Sequence, residues 1–317
     1  MTLPSGLVVG RDFALAPLTS WLVGGSADYL VQPKTVEELT EAVQWGRDQG
    51  LPLTLLGGGT NVLISDRGVR GLTIALRKMA RLEIDEDSKK QGVLRLTCLA
   101  GTSKSELLKT MLKHRLEPAL FLAGLPGDVG GGVVMNAGVG EMIRPREFVE
   151  ITEWIEVLRT DTLKIERIEA SRLQWSYRHC EGWRPGIVTR VGLRWPLEVQ
   201  EDILTRVKEA NRVRLSKQPL DMPSCGSVFV NPPGHKSGQL IESSGLKGFS
   251  SGGAKVSEKH ANFIVNFDRA SALDIHNVIS HVKKTVLDQR GVELRTEVVY
   301  LGDWSHVLPH APSSKQI

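Results

Sequence analysis

The chain has 317 residues, 41% hydrophobic and 24% charged; at roughly 150 residues per domain this means about two domains of ordinary globular composition and excludes disorder as the main state. Forty Lys and Arg against 36 Asp and Glu give a formal charge of +4, a mild bias that suits an anionic small molecule as well as a nucleic acid. Glycine is the unusual count, 32 of 317, about a tenth against roughly 7% on average. It follows neither a collagen period nor a linker tract, so backbone is expected to approach something closely.

In chain order, the first 17 residues lack a basic segment followed by an apolar one and do not read as a secretory leader. Thr35-x-x-Glu38 is a capping box that predicts a helix with Leu39 and Val43 inward, ended by Gly50. Residues 53–56 read as a short buried strand running into Gly57, Gly58, Gly59, Thr60 and Asn61. Ser103-x-x-Glu106 opens a second helix with Leu107, Leu108, Met111 and Leu112 apolar, followed by a glycine-rich stretch at 124–140. Runs at 94–98, 149–157 and 187–193 predict strands of a mixed sheet. The run 118–140 is long enough to span a membrane, but its glycines, Pro126 and Asp128 argue against that.

From Ile203 the pattern turns helical, and the Pro- and Gly-rich segment 218–234 marks the entrance to another domain. Ser271-x-x-Asp274 caps a helix with Ile275, Val278, Ile279, Val282 and Val286 inward; Gly291 ends it, and 292–301 is predicted to be a strand. The tail from Asp303 is expected to fray. Cys98, Cys180 and Cys225 stand alone, with no pairing motif and no histidine at metal spacing, so no metal site is expected and a reducing cytoplasm is favoured.

Neither G-x-G-x-x-G nor a P-loop occurs, which removes the commonest dinucleotide and nucleotide signatures. Two glycine loops remain. Residues 57–61 and 124–132 each offer unhindered backbone N–H groups of the kind that cradle a pyrophosphate, although a single glycine run is ordinarily a tight turn. Gly248-Phe249-Ser250-Ser251-Gly252 matches the nucleophile-elbow pattern, but Glu242 to Lys247 before it reads as a helix end and turn, where an elbow requires a buried strand.

At these loops the sequence resembles the UDP-N-acetylenolpyruvoylglucosamine reductase family of FAD-dependent enzymes, over about residues 15–302. The resemblance is carried by four stretches in order: Leu56-Gly57-Gly58-Gly59-Thr60-Asn61-Val62-Leu63; Gly124-Leu125-Pro126-Gly127 with Val129-Gly130-Gly131 and Met135-Asn136-Ala137-Gly138; Ser176-Tyr177-Arg178; and Pro223-Ser224-Cys225-Gly226-Ser227-Val228-Phe229 with Asn231-Pro232, Gly252-Gly253-Ala254 and Glu297-Val298. It implies an α+β protein with a two-part FAD-binding half, similar to the vanillyl-alcohol-oxidase type of flavin fold, in residues 1–80 and 81–203. A C-terminal α+β substrate domain follows at 204–303, with a flexible tail at 304–317.

The implied activity is reduction of the enolpyruvyl group of a UDP-N-acetylglucosamine nucleotide in peptidoglycan precursor synthesis, with non-covalent FAD and with NADPH as hydride donor. The implied partner is a nucleotide-sugar, not a nucleic acid or a membrane, and the protein is expected to be a cytoplasmic monomer. Cofactor contacts are expected from Gly57, Gly58, Gly59, Thr60, Asn61, Gly124, Pro126, Gly127, Gly130, Gly131, Asn136 and Gly253, and substrate contacts from Tyr177, Lys217, Asn231 and His260. The sequence departs from the family pattern at Asp128, where a small hydroxyl residue is usual, at Gly132 for alanine, at Val139-Gly140, at Cys180 for serine and at Val230 for lysine. A carboxylate beside a pyrophosphate is repulsive, so Asp128 is expected to point away or to weaken cofactor binding.

Three residues carry the implied chemistry. Reducing an enol ether at C3 builds negative charge at C2 and its carboxylate, which calls for a cation or donor in place beforehand. Arg178 can hold a carboxylate bidentately, though residue type alone favours a surface ion pair, which is the commoner use of an arginine. Glu297 is assigned to polarising or positioning that carboxylate, and Ser227 to protonating C2. The basic stretch Arg206, Lys208, Arg212, Arg214, Lys217 suits a diphosphate, or else a solvated helix face. Two other classes remain open: an oxidase of the same flavin fold acting on a sugar or alcohol, and a non-catalytic nucleotide- or RNA-binding protein, the latter disfavoured by few aromatics.

Overall fold

The structure is a computed structural model that describes residues 1–139 and 144–307. Its first unit is a four-stranded sheet in the order Gly10–Ala14, Ser26–Val31, Val69–Ala75, Leu53–Leu56, antiparallel at the first pair and parallel at the others. The helix Val36–Asp48 covers it, packing Leu39, Ala42 and Val43 against Leu53, Leu72 and Ile74. Thr35 accepts from the Glu38 N–H as predicted, but the Glu38 carboxylate accepts from the N–H of Lys34 instead of Thr35.

The second unit is a five-stranded sheet, Leu82–Asp85, Val93–Leu99, Ile187–Pro196, Thr152–Leu158, Ile165–Glu169. Every pairing in it is antiparallel, so the expected mixed sheet is instead the one in the first unit. Leu94, Leu96 and Cys98 alternate inward along their strand and meet the helices Lys104–Lys113, Pro118–Leu122 and Val129–Val134. The predicted strand at 149–157 starts only at Thr152, because Phe148–Glu150 forms a 3-10 turn that buries Phe148 against Phe121, 5.7 Å between ring centroids. Phe148 also accounts for Gly132, where a Cβ would lie 2.5 Å from the Phe148 ring. The helix Ile203–Lys217 begins where predicted, but Ile203 and Val207 pack into this second core and Arg206 forks onto Glu117 at 2.6 and 2.9 Å.

The third unit joins a three-stranded antiparallel sheet, Ser250–Ser251, Ala254–Val256, Ile264–Asn266, to the helix Ala272–Arg290. Its capping box is complete between Ser271 and Asp274, its inward face is the predicted one, and Gly291 ends it at φ +66°. Asp66 of the first unit accepts from the Ala272 and Leu273 N–H groups, both at 2.9 Å, filling the two donors the box leaves open. Trp21 Nε1 donates to the Ile264 carbonyl at 2.7 Å, and Asn266 Nδ2 returns a bond to the Trp21 carbonyl.

The predicted strand at 292–301 is split because its partner changes. Thr296 bridges to Phe229 within the third unit, and Val299–Leu301 then pairs in parallel with Val62–Ile64 of the first unit. The expected flexible tail is corrected at its start: Trp304 is buried and donates Nε1–H to the Leu301 carbonyl. Residues 308–317, the remainder of that tail, lie outside the described residues, as does Gly140 of the second glycine stretch. Among the described residues no helix is long and apolar enough to cross a membrane.

Candidate functional site

The two glycine loops meet back to back. Loop 57–61 links the strands Leu53–Leu56 and Val62–Ile64. Loop 124–131 is drawn against it by Lys104, whose N–H donates to the Gly127 carbonyl and whose Nζ donates to the Pro126 carbonyl at 2.7 Å. The approach leaves no space for side chains: a Cβ on Gly58 would sit 2.9 Å from Gly127 Cα, and one on Gly127 would sit 2.7 Å from Thr60 Oγ1. Gly59, at φ +65°, passes so near the Leu18 carbonyl that a Cβ would come within 1.9 Å of its oxygen. Arg77 braces the first loop from outside by donating to the Gly58 carbonyl at 3.1 Å.

These loops wall one side of a cavity of about 2100 Å³, about twice the upper end for a pocket holding one drug-sized ligand. The other walls are the hairpin turn at Tyr177 and Arg178, the end of the Ile203–Lys217 helix, and third-unit segments around Ser227, His260 and Glu297. Gly57, Gly58, Gly59, Thr60, Asn61, Gly124, Pro126, Gly130 and Gly131 line it, as do Arg178, Ser227, Glu297, Tyr177, Lys217, Asn231 and His260. A cleft of this volume, walled on one side by glycine backbone, has room for two ligands.

Three predicted cofactor residues stand apart. Gly127 supports the loop from behind, as its Lys104 bond shows. Asn136 is 1% exposed and acts as a bracket: its Nδ2 donates to Glu147 Oε2 and to the Ser176 carbonyl, both at 3.0 Å, and its Oδ1 accepts from the Val149 N–H. Gly253 is not at the cavity; its backbone is pressed against Asp268 and Ala270, and a Cβ would sit 2.1 Å from the Asp268 carbonyl oxygen. Gly130 lines the cavity, but its N–H is already donated to the Ala100 carbonyl at 2.8 Å. Asn61 faces the cavity while its side chain donates to the Glu297 carbonyl at 3.0 Å and its carbonyl accepts from Val299.

Arg178 and Glu297, 119 residues apart, meet at 2.6 Å between Nε and Oε1. Arg178 occupies the left-handed region at φ +56°, in the turn joining Gln174–Ser176 to His179–Glu181. Its Nη2 donates to the Gly138 carbonyl at 3.1 Å, its Cζ lies 4.6 Å from the Tyr177 ring centroid, and Glu147 approaches Nη1 at 3.9 Å. Burial pushes the Glu297 carboxyl above the ordinary glutamate range, and Arg178 pulls it part of the way back. The Glu297 N–H donates to the Val228 carbonyl, which sets Ser227 and Glu297 on neighbouring backbone segments. Ser227 is exposed to the cavity, just after Gly226 at φ +77°.

The basic stretch divides. Arg206 and Arg212 are engaged by Glu117 and Glu209, whereas Arg214 and Lys217 line the cavity, with Lys236, Lys259 and Lys283 contributed by the third unit. His260 Nδ1 accepts from the Asn262 N–H at 3.2 Å, which places the ring proton on Nε2, and burial lowers its pKa, keeping the ring neutral. Asn231 Oδ1 accepts from the Ser237 N–H. Residue patterning missed Lys104, Arg77 and Glu147. Lys104 looks like an ordinary first-turn lysine until folding buries it 5.5 Å from the Phe148 ring centroid, and burial lowers its pKa to about 8.

Comparison with known proteins bears on both halves. A family model described as an FAD binding domain matches residues 27–162, and one described as the UDP-N-acetylenolpyruvoylglucosamine reductase C-terminal domain matches residues 218–301. The chain is 41% identical over 303 residues to the UDP-N-acetylenolpyruvoylglucosamine reductase of Myxococcus xanthus, covering 94% of each. It is 38% identical over 290 residues to that of Pediococcus pentosaceus, covering 91% of this chain and 93% of the other. The solved UDP-N-acetylenolpyruvylglucosamine reductase of Thermus caldophilus superposes with a TM-score of 0.74 at 32% identity, over 93% of this chain and 99% of that one.

Proposed function

The chain belongs to the UDP-N-acetylenolpyruvoylglucosamine reductase family, and from that premise we propose that it reduces UDP-N-acetylglucosamine enolpyruvate to UDP-N-acetylmuramate, with FAD bound non-covalently and NADPH as hydride donor. The reading is carried by one juxtaposition: Arg178, Glu297 and Ser227 line the same cavity as both glycine loops. FAD, when bound, supplies the two-electron carrier between NADPH and the substrate double bond. Residues 57–61 and 124–131 would hold it, with Lys104 and Arg77 fixing the loops by their carbonyls.

In this reading Arg178 is oriented before substrate arrives, because the Gly138 carbonyl and Glu297 fix two of its guanidinium nitrogens. It stabilises the charge that builds on the substrate carboxylate as C3 is reduced, an interaction that strengthens toward the transition state. Glu297 positions Arg178 through their 2.6 Å contact, and the Arg178 charge between them offsets repulsion between the Glu297 and substrate carboxylates. Ser227 gives its hydroxyl proton to C2, a carbon basic enough at that moment to accept it. Arg214 and Lys217, with the third-unit lysines, suit the diphosphate, and Tyr177, Asn231 and His260 the nucleotide-sugar.

The enzyme acts in the cytoplasm as a monomer in this account. The domains divide near residue 80 and, judged by the packing of Ile203 and Val207 into the second core, nearer 218 than 203. The match over 218–301 favours the reductase over a sugar or alcohol oxidase of the same flavin fold. An anaerobic test decides. The purified protein is expected to be yellow, to bleach with NADPH, and to recolour with the enolpyruvyl nucleotide. Recolouring by oxygen alone, with peroxide released on sugars or alcohols, would overturn the assignment.

A further inference from the structure

Asp128 has no structural employment that explains it. The residue is 5% exposed and lines the cavity. Its backbone caps the helix Val129–Val134, yet its side chain makes no capping bond, and its Oδ2 is buried with no hydrogen-bond partner. Both carboxyl oxygens lie over the first glycine loop: a Cβ on Gly58 would be 3.1 Å from Oδ1 and one on Gly57 3.8 Å from Oδ2. A buried carboxyl oxygen without a partner is costly unless a ligand completes it or a proton neutralises it.

Two cations face this carboxyl, Arg77 from the turn Leu76–Lys78 and Lys104 from the helix Lys104–Lys113, and loop 57–61 adds no charged side chain. Neither cation closes to ion-pair distance; each is turned to a loop carbonyl instead, Arg77 to that of Gly58 and Lys104 to that of Pro126. Burial raises the Asp128 pKa to about 6, with Arg77 and Lys104 opposing the rise. The carboxyl therefore stands close to protonation where loop meets loop, at the place assigned to a diphosphate.

Resting on the FAD reading above, we propose that Asp128 is a cofactor ligand in its protonated form: the carboxyl takes up a proton as FAD binds and donates it in a hydrogen bond to a diphosphate oxygen. The consequence is proton-linked cofactor affinity. An ionised Asp128 would face the phosphate charge with no donor to offer, whereas the neutral acid acts as a hydroxyl does.

The test follows FAD binding to the full-length apoprotein by flavin fluorescence between pH 6 and 8, with Asp128→Asn and Asp128→Ser beside the wild type. Wild-type Kd is expected to weaken by nearly tenfold per pH unit above about 6.5, as one-proton linkage requires. Both variants, whose donors persist at every pH, should lose the fall that sets in above about pH 6.5, keep only the weakening that begins as Lys104 nears its pKa of about 8, and bind at least tenfold more tightly than wild type at pH 8. Calorimetry in two buffers of different ionisation enthalpy should show close to one proton more taken up on binding at pH 7.5 by the wild type than by Asp128→Asn, in which only Lys104 contributes. A flat wild-type profile, or equal proton uptake in the variant, overturns the proposal while leaving the FAD assignment intact. Absence of FAD binding at any pH overturns the FAD assignment and the proposal with it.

Discussion

Replacing Asp66 by alanine tests how the third unit is held to the first. The Asp66 carboxylate accepts two N–H bonds of 2.9 Å from Ala272 and Leu273, at the first turn of a helix 206 residues away. A hydrogen bond to a charged group contributes about 1.5–3 kcal/mol net when shielded. The Ala272 bond is partly buried and the Leu273 bond exposed, so the second is discounted to below about 1 kcal/mol. Their sum predicts a loss of about 1.5–4 kcal/mol for Asp66→Ala, and about 1 kcal/mol for Asp66→Asn, which keeps one acceptor oxygen. Ser271→Ala, which removes only the helix's own cap, is the internal reference at about 1 kcal/mol. Urea denaturation followed by tryptophan emission reports directly, since Trp21 and Trp304 are buried in the core that spans this junction. If Asp66→Ala came within about 0.5 kcal/mol of wild type, or fell below Ser271→Ala, the idea that an inter-unit cap fastens the domain would be refuted.

Three further outcomes are expected. Ser227→Ala should leave bleaching by NADPH unchanged and slow recolouring by the enolpyruvyl nucleotide by about 100-fold or more, read by anaerobic stopped flow; equal slowing of both phases would remove Ser227 from the proton step. Burial raises the Glu297 carboxyl pKa above its unfolded value, so the folded state binds the proton more tightly and its contribution, complete at low pH, is lost as pH rises through the folded value. Glu297→Gln should therefore show a flatter stability profile than wild type through and above the ordinary glutamate range; a wild type that gains on the variant with rising pH contradicts the sign. Gly132→Ala should destabilise by about 1–3 kcal/mol through overpacking, since its methyl would lie 2.5 Å from the Phe148 ring, and Phe148→Leu should recover part of that loss in thermal denaturation.

What could be read from the sequence was local. The helix starts at Thr35, Ser103 and Ser271 announce themselves because each cap oxygen accepts from the backbone N–H of an acidic residue three positions on. The glycine loops stand out because only glycine tolerates backbone packed at such distances. What escaped depends on long-range placement. Asn61 lines the cavity as its motif implies, yet nothing in that motif says that its side chain also holds the Glu297 carbonyl 236 residues away. Nor does the motif around Asn136 show that its side chain braces Glu147 and the Ser176 carbonyl behind Arg178. Gly253 shares a motif with the site residues without sharing their place, because its motif serves the packing of the third unit's sheet. The strand expected at 292–301 failed because apolar patterning does not say when a segment changes partners.

That change of partner has a bearing on how the enzyme is made. Residues 299–301 pair with 62–64, so the last strand is seated on backbone that left the ribosome long before it. Glycine loops, hairpin turn and Arg178 can all be in place on a growing chain, yet Glu297, 119 residues further on, reaches Arg178 only after the third unit's sheet and long helix have been synthesised. Closure across most of the chain's length is slow relative to forming the helices and hairpins it waits for. A growing chain therefore carries the cofactor loops well before it carries the pairing of Arg178 with Glu297.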